Sequence, residues 1–210
     1  MLIINIINVN YAWRNEPKQR TETQWVVLHH TATRQATVDS IHRHHRDVNG
    51  WLGFGYHFFI NRGGNVFNGR PINAEGAHTL GYNHTSIGVC FEGDFESMHM
   101  TQEQVDAGIE LVRYIRKLYP DTRIVRHKDL NKSSCPGKNF RDDIIIKAME
   151  LKEKALKEED KEFDETLRYL ERFGEPTAHK ELAYRMKQIL ENAFETNQFT
   201  REQLRDIFRK

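Results

Sequence analysis

The chain holds 210 residues, 38% of them hydrophobic and 29% charged, which suits one medium domain with a small appendix and excludes a membrane bundle or a fibre. Its formal charge is +1, so no basic excess points to nucleic acid. Two cysteines cannot build a disulfide framework, and the fold must rest on its own core. Histidine is the unusual residue: of 11, all but His179 lie between residues 29 and 127, a clustering that points to a metal or acid–base site.

In chain order, Met1 to Val9 is apolar but short, with no basic start and no small-residue cleavage site. It reads as a first strand rather than a signal peptide, so synthesis in the cytoplasm is expected. No stretch approaches the roughly 20 apolar residues of a membrane helix, and no membrane insertion is expected. Trp25–His30 (WVVLHH) reads as a buried strand. Thr37 can cap a short helix carrying Val38, Ile41, His45 and Val48 on its inner face, with His42 and His44 toward solvent. Tyr56–Asn61 is a strand, Arg62-Gly63-Gly64-Asn65 a turn, and Val66-Phe67 the return strand of a hairpin. Ser86–Phe91 is a further short apolar strand.

Thr101-x-x-Gln104 is a capping-box start. The helix that follows carries Val105, Ile109, Val112, Ile115 and Tyr119 on one face and stops at Pro120. Arg123–Arg126 is a strand leading into His127. Strands mixed with helices indicate an α/β layered domain. Glycine nearly vanishes after residue 147, and three amphipathic helical patterns follow, around Phe163–Phe173, Leu182–Phe194 and Leu204–Phe208. The expected division is therefore residues 1–145 as one domain and 146–210 as a small helical module.

His29 and His30 end one strand, His127 follows another, and Cys135 comes eight positions after His127. Two imidazoles and a thiolate suit a three-ligand zinc site whose fourth position stays open for water, the catalytic arrangement. Spacing alone leaves open which of His29 and His30 is the ligand. His45 lies beside Ile41 and Val48, where a packed histidine and a substrate contact are equally compatible with its position. His57 reads as structural, and Cys90 as a small buried hydrophobe. Trp51 precedes the glycine-rich approach to Tyr56 and can line a groove.

Five ordered segments carry a family resemblance. They are Val27-Leu28-His29-His30-Thr31-Ala32-Thr33, Gly55-Tyr56-His57-Phe58, Gly76-Ala77-His78, Gly81-Tyr82-Asn83-His84-Thr85-Ser86-Ile87-Gly88-Val89, and His127 with Cys135-Pro136. Over residues 23–140 the chain resembles the zinc N-acetylmuramoyl-L-alanine amidases of the phage-lysozyme type, whose fold peptidoglycan recognition proteins share. The resemblance implies a mixed central β-sheet flanked by helices. It implies Zn2+ as cofactor, held by His29, His127 and Cys135, with bacterial peptidoglycan as partner. It makes Tyr56 the catalytic tyrosine and puts His78 and Asn83 in loops that contact substrate.

Two departures stand out. Phage-type members carry a lysine two residues before the cysteine ligand; here that residue is Ser133, with Lys132 one position earlier. Either is a candidate to replace the family lysine. A related branch carries a catalytic glutamate where this chain has Cys90, which leaves Tyr56 as the stronger candidate and Glu92 as a reserve. The implied reaction is hydrolysis of the bond between N-acetylmuramic acid and L-alanine. The implied setting is a phage endolysin that waits in the host cytoplasm and acts on the wall after release. The alternative is a recognition module that binds peptidoglycan without cutting it. The helical module is expected to bind cell wall or to mediate association.

Overall fold

The computed structural model describes residues 4–147, together with Glu150 and Lys161. The helical patterns expected beyond Phe163 lie outside the described residues, as do Met1 to Ile3. Residues 4–147 belong to one compact unit.

A six-stranded mixed sheet has the order β1-β4-β3-β5-β2-β6. Its strands are β1 (Ile6–Ile7), β2 (Trp25–His30), β3 (Phe58–Ile60), β4 (Val66–Asn68), β5 (Ser86–Phe91) and β6 (Arg123–Arg126). Only the β3–β4 hairpin is antiparallel. The other four pairings are parallel. β2 and β5 are central and buried along nearly their whole length, which is why both read as continuous apolar runs rather than as alternating ones.

Alternation sorts their side chains between two layers. Val26 and Leu28 of β2 join Ile87, Val89 and Phe91 of β5 in the larger core. Helix α2 (Gln102–Leu118) closes that core with Val105, Leu111, Val112 and Ile115. Its capping box forms as expected: Thr101 Oγ1 accepts from Gln104 N at 3.1 Å, and Gln104 Oε1 accepts from Thr101 N at 3.3 Å. The apolar stripe runs through Leu111 rather than Ile109, which is only partly buried. The opposite face carries His29 and Cys90, which are register partners on β2 and β5. Cys90 is fully buried there with Ile41, Phe54 and Phe59, as expected for a small hydrophobe.

Helix α1 (Val38–Arg43) begins at a Thr37–Ser40 capping box and runs into a π-helical turn, His44–Val48. The turn closes with Asn49 N donating to His44 O. The wider turn shifts the phase of everything after it. Val48, expected on the inner face, is therefore 71% exposed. His42, expected toward solvent, is buried instead. The rings of Tyr11 and Trp13 cover it, and it bonds Phe54 N through Nδ1 and Ala12 O through Nε2. The strand expected at Tyr56 starts only at Phe58, and the N-terminal strand shrinks to Ile6–Ile7. Short α3 (His127–Leu130) follows β6 directly. No helix among the described residues is long and apolar enough to cross a membrane.

Candidate active site

The C-terminal ends of parallel strands gather the chemistry, as the geometry of such sheets favours. Leu28 of β2 is in register with Arg126 of β6, so the next residues, His29 and His127, come level at the strand ends. Their ring centroids are 4.6 Å apart. The loop after α3 returns to bring Cys135 alongside, held by Lys128 N donating to Cys135 O at 2.9 Å. Cys135 Sγ lies 3.7 Å from His29 Nδ1. One ligand atom from each of His29, His127 and Cys135 falls within a 4.8 Å span. Among the described residues this is the one grouping of at least three potential ligands with that spacing.

Strand alternation turns the neighbouring histidine away. His30 Nδ1 accepts from Phe95 N at 3.1 Å, beside the Phe95 ring on the α2 side of the sheet. Its contribution to the site is its backbone N–H, directed at Cys135 Sγ over 3.5 Å.

The donor set fits zinc. Nitrogen and sulfur ligands at about 2.0 and 2.3 Å, set at a tetrahedral angle, stand about 3.5 Å apart. The observed 3.7 Å between Nδ1 and Sγ is close to that separation. Burial lowers the pKa of both imidazoles, that of His29 strongly, with the proximity of His127 adding to the effect there. Both are neutral at pH 7 and have lone pairs to offer. Burial raises the Cys135 thiol to about 11, so a cation is needed to hold it as thiolate.

Tyr56 stands against this cluster, its ring 5.1 Å from that of His29. Burial keeps its phenol well above the usual pKa, so it is protonated and can donate at neutral pH. His45 lies behind it, with ring centroids 5.6 Å apart, and the Trp51 ring lies tilted against that of His45 at 4.7 Å while remaining 38% exposed. His45 Nδ1 accepts from Gly55 N at 3.0 Å, which puts its proton on Nε2, and burial lowers its pKa to about 4.

Other expected site residues sit differently. His78 is buried, and both its ring nitrogens face protein groups rather than an open groove. Asn83 turns its Oδ1 inward to accept from His78 N and Thr79 N at 2.8 and 2.9 Å. Ser133 Oγ accepts from Cys135 N at 3.0 Å, leaving its own O–H able to donate, and Lys132 is exposed beside it. Glu92, the reserve carboxylate, is committed elsewhere: it accepts from Ala36 N and Arg62 N at 3.1 and 2.9 Å. His57 is structural as expected, accepting from Gly88 N at 2.9 Å and donating to Ala74 O at 2.9 Å.

Sequence reasoning missed Thr79, Ser86 and Asn131. Thr79 Oγ1 reaches both His78 and His29. Asn131 lies one helical turn after His127, donates from Nδ2 to Leu80 O, and keeps a buried Oδ1 without a partner. The Asn131 side chain raises the His127 pKa, against the larger, lowering effect of burial. The i, i+4 spacing from a histidine candidate was the available signal for Asn131.

The family model described as N-acetylmuramoyl-L-alanine amidase matches residues 19–138. An endolysin of Enterobacteria phage K11 is 36% identical over 127 residues, covering 57% of this chain and 83% of that protein. A peptidoglycan-recognition protein of Drosophila melanogaster is 31% identical over 131 residues, covering 57% of this chain and 71% of its own length. The solved structure of the amidase LysC from Clostridium intestinale superposes with a TM-score of 0.68 at 35% identity, over 70% of this chain and 99% of that one.

Proposed function

Because the chain belongs to the N-acetylmuramoyl-L-alanine amidase family, we propose that it hydrolyses the bond between N-acetylmuramic acid and L-alanine in peptidoglycan with zinc held by His29, His127 and Cys135. The observation that carries this reading is the convergence of those three ligand atoms at the strand ends. Zinc in that position supplies Lewis acidity and a water acidic enough to ionise near pH 7. The protein's own groups do the rest. Tyr56, protonated, donates to the amide carbonyl oxygen as negative charge builds on it. Ser133, whose oxygen already accepts from Cys135 N, turns its O–H toward the same charge and stands in for the family lysine. Lys132 adds a positive charge on the same loop. The Nε2–H of His45 and the exposed edge of Trp51 form the wall along which the glycan or peptide lies. Asn83 shapes the loop beside them.

The setting we infer is that of a phage endolysin acting on the host wall after release, in keeping with the phage relatives. We further propose that residues 146–210 serve wall binding. A chain truncated after residue 149 should pull down less cell wall; unchanged binding removes that role. A second reading, a recognition module that binds without cutting, draws on the likeness to peptidoglycan-recognition proteins. The presence of Cys135 favours the enzyme. End-group analysis on purified peptidoglycan distinguishes them. New L-alanine amino termini, lost with a chelator and regained with zinc, are the expected result. Wall binding without new termini would favour the recognition module.

A further inference from the structure

His78 lies in a cradle made for its ring. A Cβ built on Gly76 would stand 2.3 Å from His78 Cδ2, and one on Gly88 would stand 2.6 Å from its Cγ. Any side chain at either glycine displaces the imidazole. Asn83 Oδ1 fixes the backbone beneath it by accepting from both His78 N and Thr79 N. The ring then meets three polar groups. Its Nδ1 is 3.0 Å from His29 Nε2 and 2.8 Å from Thr79 Oγ1, and its Nε2 is 3.4 Å from Ser86 Oγ.

The direction of these hydrogen bonds follows from counting protons. Ser86 gives its one proton to Tyr82 O at 2.7 Å, so toward His78 it can only accept. His78 Nε2 therefore carries the proton, and Nδ1 presents a lone pair. His29 Nε2–H donates to that lone pair. Thr79 Oγ1 can accept from His29 Nε2, 3.3 Å away, and donate to His78 Nδ1, which preserves the same polarity. The remaining lone pair of His29 is then on Nδ1, the nitrogen that faces Cys135 Sγ.

We propose that His78 is a positioning residue: with Ser86 and the Tyr82 carbonyl it keeps the His29 proton on Nε2, and so aims the Nδ1 lone pair at the point shared with His127 and Cys135. This rests on the reading of those three residues as a metal site. It moves His78 from substrate contact to support of a ligand, as outer-shell partners of metal-bound histidines commonly serve.

Two measurements test it. In the wild-type protein, long-range proton–nitrogen NMR should find His29 protonated at Nε2 and His78 protonated at Nε2, with and without zinc. Ligation of zinc through His29 Nε2, or a His78 proton on Nδ1, overturns the proposal without any variant. The second measurement is zinc affinity by competition with a chromophoric chelator. His78→Phe fills the cradle but offers no acceptor, and should bind zinc about 10–100-fold more weakly. His78→Asn places an oxygen near the Nδ1 position and should recover most of that loss, which a merely structural role would not predict. A folded His78→Phe protein with wild-type zinc affinity overturns the proposal. Wild-type protein that takes up no zinc at all overturns the metal reading instead, so the two failures are told apart.

Discussion

Cys135 Sγ and His29 Nδ1 lie 3.7 Å apart although 106 positions separate them in the chain. β2 delivers the histidine, and the loop tied to α3 delivers the cysteine. Replacing Cys135 by Ser should therefore leave the fold intact while removing the soft ligand. We expect zinc retention after dialysis to fall below stoichiometry and amidase activity to drop at least about 100-fold. Equilibrium unfolding of the metal-free variant should match that of the metal-free parent. Full activity with bound zinc would remove Cys135 from the ligand set.

Tyr56→Phe keeps the ring against His29 and deletes only the hydroxyl. Loss of a positioned donor costs about 10²–10³ in kcat. Zinc affinity should not change, because the phenol is not a ligand. A kcat within a few-fold of wild type would shift the donor role to Ser133, and Ser133→Ala would be the next variant.

Acid should destabilise the domain through His57. Its folded pKa is lowered from 6.5 to about 3 by burial, so the folded state prefers the neutral ring. Its contribution is complete above pH 6.5 and is lost as pH falls from 6.5 toward 3. Each unit in that window costs about 1.4 kcal/mol. The structural reason is visible: Nδ1 accepts from Gly88 N, and protonation there would set two donors face to face. Urea unfolding at pH 6.5 and 5 should show the decline, and His57→Gln should flatten the slope. A stability independent of pH in this range would contradict the assignment.

Glu92 gives a converse test. Its carboxylate satisfies two backbone amides, Ala36 N and Arg62 N. Glu92→Ala should cost about 1–3 kcal/mol of stability by leaving those donors unpaired. Turnover per folded molecule should stay the same. A loss of kcat without a loss of stability would return Glu92 to the chemistry.

Much of the sheet was legible because its central strands are short, β-branched and apolar, and the helix α2 was legible because its capping box and Pro120 mark both ends. The choice between His29 and His30 was not readable from spacing. It is decided by the pleat, which sends consecutive side chains to opposite faces. His42 was misread as exposed because the residues that bury it, Tyr11 and Trp13, come from a segment without periodicity of its own. Val48 was misread because a π-helical turn has no sequence signature that a 3.6-residue count detects. The support of His29 by His78 was hidden for a third reason. Hydrogen-bond polarity depends on Ser86 and the Tyr82 carbonyl, and only the folded chain brings these together.

X-ray absorption at the zinc edge reads the ligand set itself. Zinc on His29, His127 and Cys135 should give one sulfur at about 2.3 Å and nitrogen or oxygen ligands at about 2.0–2.1 Å, four ligands in all. The sulfur shell should vanish in Cys135→Ser. A wild-type spectrum with no sulfur, or with six oxygen-like ligands, would contradict it.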